Sequence, residues 1–210
     1  MARLAADSGV AVGSLRYVGV DIGGARNTWV CTLEGESGCL TLREMPRALT
    51  ITDILRYAEA QAVVAVAIDA PLTWAPREDD GWRSSDRQLQ DHLPKECRRW
   101  VRSQNSLMAV PLRGQHLAEY LSPLVGTVIE THPRACLYFA NSGTHQCVLH
   151  YKPSGTPACL HQLWQVWTDQ FSIAAPTPGE GLTDRAIDAL VCATVAYLYL
   201  QARTASLDYS

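Results

Sequence analysis

Four acids stand where a folded chain can bring them together. Asp21 closes the apolar run Tyr17-Val-Gly-Val-Asp21, Asp69 closes Val63-Val-Ala-Val-Ala-Ile-Asp69, and Glu130 closes the segment Val125–Glu130. Asp188 lies between Ile187 and Ala189-Leu190 in a long apolar stretch. A carboxylate at the end of a buried strand is poorly solvated and needs a proton, a cationic partner or a metal ion. Taken singly, such an acid caps the next helix or pairs with an arginine. Several converging carboxylates make the hard, oxygen-rich surroundings that Mg²⁺ or Mn²⁺ requires. If the first strand and Val63–Asp69 are parallel neighbours, their ends lie about 5 Å apart. Asp21 and Asp69 would then share a divalent ion able to activate water in phosphodiester hydrolysis.

The elements that must position these acids are readable in part. Tyr17–Ile22, Asn27–Leu33 and Cys39–Glu44 read as three strands with short joins, an antiparallel meander. Thr52–Ala60 has helical spacing of Ile54, Leu55 and Ala58. Val63–Asp69 is apolar without alternation, as a central strand covered on both faces must be, and Pro71 ends it. Residues 72–123 read as an insertion with helices at Ser85–Leu93 and Glu96–Ser103. Beyond Glu130 come a helix at Arg134–Ala140, a loop over 141–158, a Trp-rich helix at Leu160–Phe171, and a linker at Pro176–Gly181. A long buried helix, Thr183–Arg203, follows with Thr183 as N-cap. This pattern predicts a mixed α/β sheet. Residues 1–16 read as a flexible leader before one domain over 17–210.

Five segments in this order carry a resemblance: Val18-Gly-Val-Asp21-Ile-Gly-Gly with Trp29, Ala67-Ile-Asp69-Ala-Pro71, Arg83-Ser-Ser-Asp86-Arg-Gln-Leu89, Ile129-Glu130-Thr-His-Pro133-Arg, and Ile187-Asp188-Ala-Leu-Val-Cys-Ala193. Together they resemble the domain-of-unknown-function 429 family, regarded as predicted nucleases with a ribonuclease H-like fold. The resemblance implies a five-stranded mixed sheet in the order 3-2-1-4-5, helices on both faces, and a helical or loop insertion after the fourth strand. It implies Asp21, Asp69 and Asp188 as metal ligands, with Glu130 joining them as a catalytic acid. The glutamate that classical ribonuclease H carries on its first helix has no match, since Glu59 stands in no diagnostic pattern; Glu130 could supply that oxygen. Lys152 matches a recurrent lysine position of the family.

Other residues are candidate substrate contacts. Lys95, Arg98, Arg99, Arg102 and Arg113 stand against Glu96 alone over Lys95–Arg113, a local charge of 5 − 1 = +4 with Trp100 interleaved. That is a candidate phosphate-binding stripe with a stacking ring, or an ordinary solvated face. Arg83 and Arg87 could touch a phosphate or form an ion network with Asp86, and Lys152 could meet a substrate anion. His132 could serve as a general acid or a structural histidine, and Asp184 as a fourth acid or a first-turn dipole partner.

Composition sets the outer bounds. The chain has 210 residues, of which 18 are basic and 21 acidic, a net charge of −3. A polyanion partner must therefore be met by a local basic patch or through bound metal. Seven scattered cysteines, Cys31, Cys39, Cys97, Cys136, Cys147, Cys159 and Cys192, include no Cys-x-x-Cys pair and read as reduced thiols of a cytoplasmic protein. The His145–His161 segment has zinc-type residues without zinc spacing. No segment is long and apolar enough to span a bilayer, so no membrane partner is expected. The leading expectation is a metal-dependent hydrolase acting on nucleic acid. Two alternatives stay open: an ATP-binding phosphotransferase relative of the sugar-kinase/actin superfamily, suggested by Asp21-Ile-Gly-Gly24, and a non-catalytic interaction module on a ribonuclease H fold.

Overall fold

The computed structural model describes residues 14–36, 39–75, 80–140, 142–152 and 155–207. Its centre is a mixed sheet in the order β6-β5-β1-β2-β3-β7, with β4 paired to β2. The strands are β1 (Leu15–Asp21), β2 (Trp29–Glu36), β3 (Cys39–Thr41), β4 (Arg47–Ala48), β5 (Val63–Asp69), β6 (Thr127–Glu130) and β7 (Ile173–Ala174). β1 runs antiparallel to β2 and parallel to β5, and β5 runs parallel to β6.

Seven strands replace the expected five. The run Cys39–Glu44 stops at Thr41, and a second short strand, β4, forms at Arg47–Ala48. β7 adds to the outside of β3, because the chain leaving the Trp-rich helix runs alongside Leu40 and Thr41. β1 begins at Leu15, so the expected leader overlaps it by two residues; the rest of that expectation, residues 1–13, lies outside the described residues.

Helices cover both faces, as the strand alternation requires. Val18, Val20, Val30, Val66 and Ile68 point to the side of α1 (Ile51–Ala60) and α3 (Val110–Leu121), where Ile54, Ala58, Leu117 and Leu121 are buried. Tyr17, Cys31, Leu33, Ala65 and Ala67 point to the other side, covered by α4 (Pro133–Ala140), α5 (His145–His150), α6 (Pro157–Gln170) and α7 (Asp184–Leu207). Thr50 and Asp53 close a reciprocal capping box at the start of α1. Thr183 accepts from Ala186 N–H at 3.2 Å and so starts α7.

The insertion between β5 and β6 holds α2 (Ser84–His92), two 3₁₀ turns at Arg98–Trp100 and Gln104–Ser106, and α3. The first turn stands where a helix over Glu96–Ser103 was expected, and the second lies just beyond it. Pro94 sets the first of them, accepting from Cys97 and Arg98 N–H through its carbonyl. The expected loop over 141–158 contains α5, whose Cys147 thiol lies 2.6 Å from that of Cys159 on α6. Among the described residues, no helix is long and apolar enough to cross a membrane.

Candidate metal centre

Asp21 and Asp69 are register partners at the ends of two parallel strands, β1 and β5. Their side chains therefore emerge side by side. α7 delivers the third acid by a matched advance. It runs antiparallel to β1, with Tyr197 against Tyr17, the backbone of Ala189–Ala193 against Gly19, and Arg185 against Asp21. From Gly19 to Asp21 the strand advances about 6.6 Å; from Cys192 back to Asp188 the helix advances about 6 Å. Asp188 thus arrives over the strand ends. Asp21, Asp69 and Asp188 each offer a carboxylate oxygen within 4.8 Å of the other two, and they form the one such acid cluster among the described residues.

The cluster is buried and crowded. Asp188 is 0% exposed, Asp21 is buried and Asp69 is partly open. Tyr151, fully buried, donates its hydroxyl to Asp188 Oδ1 at 2.7 Å. The Lys152 ammonium pairs with Asp188 Oδ2, which has no hydrogen bond of regular geometry among the described residues. Arg185 Nη1 stands 3.3 Å from Asp21 Oδ2. With all three acids ionised, as a bound cation requires, three negative and two positive groups leave −3 + 2 = −1 in direct contact. Three converging carboxylates with residual negative charge suit a hard cation, and they fit a divalent metal.

Protonation follows from this crowding. Burial, then the charges of Asp188 and Asp69, hold Asp21 well above the usual carboxylate range. Burial pushes Asp69 up to about 7; Lys152 opposes the rise, while Asp188 and Glu130 add to it. Burial alone would lower the Lys152 ammonium, but Asp188, Asp69 and Asp21 reverse that and raise it. Burial and Asp188 raise Tyr151, so its hydroxyl remains a donor.

A stability consequence follows with a definite sign. Folding raises Asp69 from 3.8 to about 7. The stability from its bound proton is full below about pH 4 and is lost as pH rises through about 7. In chelator, wild type relative to Asp69→Asn should therefore lose several degrees of Tm between pH 5 and 7.5. The comparison separates Asp69 from His132, whose pKa burial lowers and which acts in the opposite sense.

Glu130 faces the same cleft but is engaged. Arg83 grips both of its oxygens, at 2.6 and 2.5 Å, and Leu72 N–H donates to Oε2 at 2.9 Å. The same guanidinium holds Asp86 through two bonds of 3.0 and 2.5 Å and donates to Thr73 Oγ1. Arg83 is buried, so its donors are committed within the protein rather than offered to a ligand. Glu130 lies outside the cation cluster. Glu59, on α1, is exposed.

The expected basic stripe divides. Arg99 and Arg102 are exposed and line the cleft, which has a volume of about 600 Å³ and includes Asp21, Asp69, Asp188 and Lys152 in its walls. Arg98 donates to Leu93 O and Arg113 to Gly23 O at 2.7 Å, so both brace the backbone. Arg87 pairs with Asp80 and sits over the Trp82 ring, outside the cleft lining. One face of Trp100 is covered by Arg134, 4.2 Å from the ring centroid. His132 accepts Ala135 N–H at Nδ1 and therefore donates from Nε2 to Trp100 O, a structural role at both nitrogens. Asp184 lines the cleft one turn before Asp188, and burial followed by the Asp188 charge raises its pKa.

The glycine turn after β1 closes on itself. Gly23 N–H faces Thr28 Oγ1 at 3.3 Å, its carbonyl takes Arg113, and Asn27 N–H returns to Gly24 O. The Gly23 amide is thus engaged internally, unlike the free amides of a phosphate loop. A smaller cavity of about 300 Å³, beside Met45 and Tyr57, contains Glu34 already paired with Arg16 and Arg43.

No curated protein matches this chain. The solved structure of the human cytomegalovirus terminase nuclease domain is similar at 10% identity over 87% of this chain and 83% of that one, with a TM-score of 0.24. Residues 19–122, which carry the end of β1, β5 and the insertion up to α3, match the family model described as a protein of unknown function, DUF429.

Proposed function

We propose that the protein is a metal-dependent nuclease, hydrolysing phosphodiester bonds at a divalent-cation centre held by Asp21, Asp69 and Asp188. The observation that carries this reading is the meeting of three acids, from β1, β5 and α7, within 4.8 Å at the wall of an open cleft. A bound Mg²⁺ or Mn²⁺ supplies Lewis acidity, making water a better nucleophile and steadying negative charge on a breaking phosphodiester. The protein's own groups do the rest. Arg99 and Arg102, exposed at the cleft, attract and orient a phosphate backbone. Tyr151 fixes Asp188 through its hydroxyl, and the Arg83–Glu130–Asp86 network holds the insertion against the end of β6. The run β3-β2-β1-β5-β6 inside the seven-stranded sheet supports a ribonuclease H-like fold for this chemistry.

A cleavage panel tests the reading. Single strands, duplexes, hybrids and branched junctions are incubated with Mn²⁺ beside the Asp69→Asn protein. Cleavage of at least one polymer is expected from wild type, abolished by chelator, and at least about 100-fold weaker in the variant. That figure lies at the upper end of what losing an outer-shell partner costs a metal site, and a direct ligand should matter more. Equal cleavage by Asp69→Asn would overturn the proposal.

A further inference from the structure

Lys152 is an unusual neighbour for a metal centre. Its ammonium lies on Asp188 Oδ2, an oxygen of a fully buried acid, while its own side chain remains 29% exposed to the cleft. It is also held there by a frame. Tyr151, the preceding residue and the C-cap of α5, is fully buried and bonded to Asp188 Oδ1. Arg134 donates to the carbonyls of Val148 and Leu149 at 3.1 and 2.8 Å, fastening the end of α5 from the side. Gly155 N–H returns to Tyr151 O at 3.0 Å, and a Cβ at Gly155 would stand 2.6 Å from that oxygen, so Gly155 is seated against the backbone of Tyr151. A surface lysine needs none of this.

The direct charges then decide how many ions the acids can hold. Once a bound ion has displaced the acids' protons, with Lys152 on Asp188 and Arg185 on Asp21, the three carboxylates retain a net −1 before the ion's own charge is added. One divalent ion reverses that to +1; a second would raise it to +3, the two fixed cations included, in poorly solvated surroundings, where like charges repel strongly. Resting on the nuclease reading above, we propose that this centre takes a single divalent ion and that the Lys152 ammonium is its built-in second cation. Asp188 Oδ2 is neutralised by the lysine rather than by a metal, and the ammonium and the ion form two positive poles for one phosphodiester. The lysine is thus a positioning and charge-supplying group whose removal vacates a cation seat.

The experiment counts Mn²⁺ bound to the full chain by titration calorimetry, checked by electron paramagnetic resonance of free ion. Wild type should bind one Mn²⁺. Lys152→Met should bind two, because Asp188 Oδ2 then lacks a counter-charge. Lys152→Arg, which restores the cation, should return to one. Circular dichroism verifies that each variant is folded, and Lys152→Gln gives an independent count. Two ions on wild type, or one on folded Lys152→Met and Lys152→Gln, would overturn this inference and leave the nuclease reading standing. No ion on wild type would overturn both.

Discussion

Asp188→Asn should abolish Mn²⁺ binding, lower cleavage by more than about 100-fold, and destabilise the fold by about 2 kcal/mol. The two losses have different origins. The functional one follows from removing a charged oxygen from a set of three. The structural one follows from Lys152, whose ammonium loses its direct carboxylate partner while its partial exposure softens the penalty. Asp69→Asn should behave differently. It removes a carboxylate that burial and its neighbours already hold up to about 7, so the metal-free protein above that pH should become more stable as activity disappears. Urea unfolding at pH 8 in chelator, beside Mn²⁺ calorimetry, separates the two variants. Equal destabilisation by both would show that the acids are not in conflict in the folded chain.

The second large effect lies away from the cleft. Gly19→Ala should lower the unfolding free energy by about 4 kcal/mol or more, beyond the usual range for one added methyl group. A Cβ at Gly19 would stand 2.0 Å from Ala189 O and 2.2 Å from Ala193 N. Both are backbone atoms of α7, so no rotamer change relieves the clash, and the helix must lift from β1. Asp188 is next to Ala189, so a lifted helix also withdraws the third acid from Asp21 and Asp69. Mn²⁺ affinity should fall together with stability, although the substitution touches no acid. Calorimetry and urea unfolding on the same preparation check both; a stable Gly19→Ala protein with normal affinity would show that α7 is not seated as described.

Much of the centre was legible in the sequence because its elements are extreme. Val63–Asp69 is continuously apolar and ends on an acid, and β5 occupies those same residues. Asp188 sits in an apolar helical stretch, which buries it completely. The less legible parts are short or mixed. α3 escaped notice because Pro111, Arg113, Gly114 and His116 interrupt its apolar spacing, although Leu117 and Leu121 are its buried anchors. α5 has six residues, too few for a helical period to emerge. The sequence allows Arg83 either a phosphate contact or an ion network, and the network depends on the fold, which brings Glu130 to it across 47 positions. The pairing of Lys152 with Asp188 has no sequence signal either; the Tyr151 hydroxyl bond that aligns it joins the C-cap of α5 to α7 across 37 positions.

The antiparallel seating of α7 on β1 also governs when the molecule becomes complete. Asp21 and Asp69 leave the ribosome before Asp188, which belongs to the helix that follows the described strands. A growing chain therefore carries the trough beside Gly19 uncovered, and only two of the three acids, until α7 has been made. The three-acid cluster cannot assemble until synthesis has passed α7, and a product halted before that helix would lack its third acid and expose an apolar trough.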